Sequence, residues 1–109
     1  MSGGGGSGGG SIGGRYEDAP CNRVRFETHL TSPQPLVVAT ILEGDVLTIS
    51  VGNMQGVLVV QALKNGQIAG GLAGPDATRL RNCIEQGHVY IATVLSAHGG
   101  QVRVRVEHS

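Results

Sequence analysis

The sequence predicts a mainly β, β-rich α+β fold: a small antiparallel barrel or rolled sheet of about seven short strands, with one helix near residues 75–86. Three observations carry this. Apolar and polar residues alternate with period two through most of the chain, which is the pattern of half-buried strands. Glycine-rich breaks such as "KNGQ" and "HGG" fall at hairpin spacing. The period changes only in "GPDATRLRNCIEQG", where Leu80, Cys83 and Ile84 follow i, i+3, i+4 spacing with Ala77 behind them. Short strands around a Val, Ile and Leu core curl toward closure, and the helix covers an open end or face.

The elements follow in order. Residues 1–14 are almost pure Gly and Ser, a flexible tail or linker of native or engineered origin, since glycine loses too much entropy on ordering. Residues 15–109 then form a single domain, long enough to bury one core. A first strand spans 23–28, and the two prolines of "TSPQP" (31–35) break it. The apolar run "LVVATI" (36–41) has strand length, and "EGD" (43–45) turns the chain into "VLTISV" (46–51), where Leu47, Ile49 and Val51 share one face. The loop "GNMQG" (52–56) leads to "VLVVQAL" (57–63). In "KNGQ", Asn65 and Gly66 supply the positive φ that a type I′ turn requires at both central positions. "QIAGGL" (67–72) returns. The helix then starts with Pro75 at its first position and Asp76 in its first turn, and stops at Gly87. "HVYIATVLSA" and "QVRVRVE" flank the second glycine hairpin.

The run from "LEGDVLTIS" through "VLVVQALKNGQIAGGLAG" to "RLRNCIEQGHVYIATVL" resembles the HIRAN family over residues 36–107. The match lies in a Gly-Asp-x-Leu turn and strand, a glycine hairpin return, a helix and an "I..G..Y.A.V" continuation. The resemblance implies a small β-barrel scaffold of a kind that grips DNA ends. The family's end-pocket motif has no counterpart here, because "VGNMQGV" stands in its place without proline or acid. No family site residue is therefore carried over.

Formal net charge is zero, so no global field draws the chain to nucleic acid or anionic lipid, and any such site must be local. Seven arginines stand against one lysine. The planar guanidinium fork suits bidentate contact with phosphate or carboxylate. "NRVRFE" and "QVRVRV" each place two arginines at alternate positions. If first and last strands are neighbours, Arg23, Arg25, Arg103 and Arg105 share one outward face, with Glu27 and Glu107 at its edge, and form a candidate surface for single-stranded or duplex DNA. The same residues also read as the ordinary polar face of exposed strands, with Arg and Glu in cross-strand pairs.

Cys21 and Cys83 are either two buried thiols or a disulfide closing a loop of roughly 60 residues, worth about 4 kcal/mol by chain entropy. His29, His88, His98 and His108 have no metal-ligand spacing, and the scattered carboxylates suggest no acid–base pair, so no metal, cofactor or enzymatic activity is expected. "AGGLAGPD" lacks the lysine of a phosphate loop. With no long apolar run and no leader, the expectation is a cytoplasmic protein without membrane contact. The function expected is a small non-enzymatic binding module, for nucleic acid through the arginine face or, alternatively, for a protein partner or a second copy of itself.

Overall fold

The computed structural model describes residues 20–109; the Gly/Ser tail expected at 1–14 lies outside the described residues. A single 3₁₀ turn, Cys21–Arg23, precedes β1 (Arg25–His29). A short helix α1 (Pro35–Val38) follows, then β2 (Val46–Met54), β3 (Val57–Lys64) and β4 (Gln67–Leu72). Helix α2 (Pro75–Glu85) leads to β5 (Tyr90–His98) and β6 (Gln101–His108). The six strands form one antiparallel sheet in the order β1-β6-β5-β2-β3-β4. The mainly β class with one principal helix is as expected, but the sheet does not close into a barrel.

What joins its two edges is a strap rather than a ladder. After β1 the chain crosses from one edge to the other: the Leu30 amide donates to Val102 O in β6, Thr31 and Gly71 exchange two bonds of 2.8 Å, and the Gln34 amide donates to Ala69 O in β4. The approach is close enough to need glycine. A Cβ on Gly70 would meet Leu30 Cβ and Thr31 O at 3.0 Å.

The core follows the period-two pattern. Val102, Val104 and Val106 in β6, Tyr90, Ala92 and Val94 in β5, and Leu47 in β2 are fully or almost fully buried. Helix α2 closes over this face with Ala77, Leu80 and Cys83, the stripe its spacing predicts. Asn65 and Gly66 hold φ of 51° and 82°, as the type I′ turn requires.

Two elements differ from expectation. "LVVATI" is not a seventh strand: Pro35 opens a helical turn there, its ring having already set the helical φ. The buried side chains are Val38 and Ile41, three apart on one face of a turn, while Leu36 is 89% exposed. Nor is "GNMQG" an open loop. The β2 strand continues through Gly52 to Met54, and the turn is confined to Gln55 and Gly56, at φ 55° and 84°, with the Gly56 amide bonded to Asn53 Oδ1 at 2.9 Å.

Candidate interaction surfaces

The first and last strands are neighbours. In the register of β1 with β6, Arg25 lies opposite Glu107, Glu27 opposite Arg105, and His29 opposite Arg103. Directly opposed residues point to the same side of a sheet, so these six side chains share the outward face. Arg25, Arg103 and Arg105 are thus brought together. Arg23 is not on the strand with them; it sits on the 3₁₀ turn one residue before Val24, which is buried in the core.

The carboxylates lie between the arginines rather than at the rim. Arg103 donates to Glu27 Oε1, and Arg105 Nε donates to Glu107 Oε1 at 2.9 Å. The bond from Arg103, and the positive charges of Arg103, Arg105 and Arg25, hold the Glu27 carboxyl below the usual carboxylate range. Arg25 makes no ion pair among the described residues. The face is a mixed-charge checkerboard with a small positive excess.

Cys21 and Cys83 form a disulfide, with Cα atoms 5.6 Å apart, that ties the 3₁₀ turn to α2. Tyr90 supports the same turn from β5, its hydroxyl donating to Cys21 O at 2.5 Å. Nearby, His88 Nδ1 and His108 Nε2 lie 3.0 Å apart, a pairing that residues twenty apart in sequence do not advertise. Among the described residues no three His, Cys, Asp or Glu side chains gather as a metal cluster would require, and no helix is long and apolar enough to cross a membrane.

A second surface lies at the far end of the sheet. β5 pairs with β2 only at Val46, Leu47 and Thr48, and β4 pairs with β3 only from Val60 onward. Beyond those points β2 and β3 pair with each other alone, up to Met54 and Val57. They form a two-stranded arm whose outer backbone edges carry no ladder partner among the described residues. Met54, Val57 and Leu58 on this arm are 57%, 61% and 46% exposed. No charged residue occurs between Asp45 and Lys64. Edge strands are ordinarily protected by lysine, proline or a bulge, and this arm has none of these. That charge-free run was readable in the sequence, although its projection beyond the sheet was not.

At the base of the arm, β3, the end of β4 and the first turns of α2 enclose a groove of about 190 Å³, with Leu58, Val59, Leu72, Ala77, Thr78 and Arg81 among its lining. Arg79 and Arg81 diverge on α2. Arg81 lines this groove, whereas Arg79 stands near Tyr90 and opposes the upward shift that burial gives the phenol. The Nε of each is buried without a hydrogen-bond partner.

No protein-family profile, no curated protein and no solved structure matches the chain. The surfaces themselves are therefore the basis for any reading of function.

Proposed function

We propose that this chain is a small non-enzymatic binding module that engages a protein partner through the β2–β3 arm. The observation that carries the reading is a two-stranded, charge-free ribbon that projects beyond its sheet with Met54, Val57 and Leu58 exposed. Isolated hairpins are marginal in water, and exposed apolar surface of this kind marks a place where another molecule packs. The test is affinity capture from extracts of the source cells with the whole chain and with its Val57→Lys, Leu58→Lys variant. One protein held by the first and lost by the second, which after identification and purification binds the whole chain but not the variant, supports the reading; the same proteins on both, or none on either, overturns it.

A second reading, nucleic-acid binding through the arginine face, has its own support in the adjacency of β1 and β6, which puts Arg25, Arg103 and Arg105 on one face. Arg103 and Arg105 must then exchange carboxylate for phosphate, so the net gain per contact is small. Three phosphate contacts correspond to a salt slope of roughly −2 on single strands, and each arginine left on its glutamate lowers that figure. Fluorescence anisotropy with labelled single-stranded and duplex DNA at low salt decides. Binding lost in Arg103→Ala, Arg105→Ala supports this reading, and no binding removes it.

The disulfide bears on compartment as well. Cys21–Cys83 favours an oxidising environment over the reducing cytoplasm expected from sequence, because structural disulfides persist where thiols are not kept reduced.

A further inference from the structure

We infer that the groove between β3 and α2 is a strand-addition site for an extended peptide that carries an apolar residue and, two positions away, an aspartate or glutamate. The inference rests on the protein-binding reading above and specifies its ligand.

The backbone supplies the first half of the site. The ladder between β3 and β4 ends at the pair Val60 and Leu72, after which Gly74, at φ 85°, carries the chain away into α2. The edge of β3 at Val57, Leu58 and Val59 is thereby left without the strand that would continue β4. An incoming extended segment can take that place and form the missing main-chain hydrogen bonds, as peptides do when they add to open sheet edges.

Side chains supply the second half. A groove of about 190 Å³ falls below the 300–1,000 Å³ usual for drug-sized ligands and cofactors, and its scale suits one anchoring side chain. Leu58, Val59, Leu72 and Ala77 give it an apolar side that suits an aliphatic anchor, opposite the polar Thr78 and Arg81. The groove has no carboxylate in its lining, and Arg81, the one charged residue that lines it, makes no ion pair among the described residues. An unpaired guanidinium at the wall of a groove favours an incoming carboxylate, with which it forms a charge-assisted bond. Alternate residues of a strand face the same side, which places the acid two positions from the apolar anchor.

The same charge argues against a second copy of this chain as occupant. Antiparallel pairing of β3 with β3 would bring two uncompensated Arg81 side chains toward each other, and the charge-free arm has no acid to offer them.

The test is selection from a randomised heptapeptide phage library on the immobilised full chain, followed by titration of the enriched peptides against ¹⁵N-labelled protein. The expected motif is an aliphatic residue and an Asp or Glu two positions apart. Amide shifts should be confined to residues 57–59 and the first turns of α2, and binding should weaken at least tenfold when the acid becomes its amide. Arg81→Gln, with unchanged circular dichroism, should remove that tenfold preference, and N-methylation of alternate peptide amides should abolish binding. An empty selection overturns the inference. So does an enriched motif without an acid, or binding indifferent to Arg81→Gln or to N-methylation. If the cellular partner is still captured through Val57 and Leu58 while the selection fails, this inference falls and the broader reading stands. Failure of both experiments removes both.

Discussion

Breaking the disulfide is the most quantitative perturbation available. Cys21 and Cys83 are 62 residues apart, and the entropy of closing a loop of that length in the unfolded chain corresponds to about 4 kcal/mol. Domains of this size have a total stability of about 5–15 kcal/mol, so the cross-link supplies a large share. At about 4–8 °C per kcal/mol, the melting midpoint should fall by roughly 15–30 °C. Cys83 is 1% exposed, so a reductant must work through the half-buried Cys21, and reduction of the native protein should be slow. The double variant Cys21→Ala, Cys83→Ala avoids that barrier. Circular-dichroism melts of the oxidised protein, the reduced protein and the double variant measure the effect. Midpoints within about 5 °C of one another would refute the reasoning, because they would mean that the 3₁₀ turn is held by Tyr90 and Val24 without the cross-link.

Three further outcomes are expected. Gly70→Ala should cost about 1–3 kcal/mol in chemical denaturation and speed hydrogen exchange at the Thr31 amide, because the new methyl presses on Leu30 and the Thr31 carbonyl. Tyr90→Phe should cost about 1–3 kcal/mol, since the Cys21 carbonyl loses its donor inside the fold; guanidinium titration reads it. The depressed folded-state pKa of Glu27 means that its contribution to stability is complete above the unfolded value of about 4.3 and is lost as pH falls through the lower folded value. Arg103→Ala should raise the Glu27 midpoint in a carbon-detected NMR titration, with no change at Asp45, whose carboxylate is held down by the Leu42 amide and Lys64.

Most of the sheet was legible because period-two alternation and turn glycines are local signals. Leu47 and Ile49 share the buried face of β2, and Asn65 with Gly66 makes the predicted turn. The helix was legible for the same reason, its stripe of Ala77, Leu80 and Cys83 falling where the spacing places it. "LVVATI" misled because β-branched apolar residues fit a strand as well as a buried turn; what decided between them was Pro35 and the strap already occupying both sheet edges, a tertiary fact. The arginine face was only half legible. Alternation put the side chains on one surface, but the register that seats Glu27 and Glu107 among them depends on how two distant strands align. The groove at Arg81 and the contact of His88 with His108 rest on the same kind of distant pairing, and no local pattern encodes them.

The pairing of β1 with β6 also sets a clock on synthesis. Glu27 and Arg103 are 76 residues apart, so at translation rates of about 5–20 residues per second β1 waits roughly 4–15 s for its partner. During that interval the meander of β2, β3 and β4 can form from neighbouring segments, while β1 trails as a solitary strand. Insertion of β6 between β1 and β5 is then the step that completes the sheet, and it comes late. A released chain truncated before Gln101 would lack the three buried valines of β6, a half-built sheet whose β5 edge is open to the first strand that arrives.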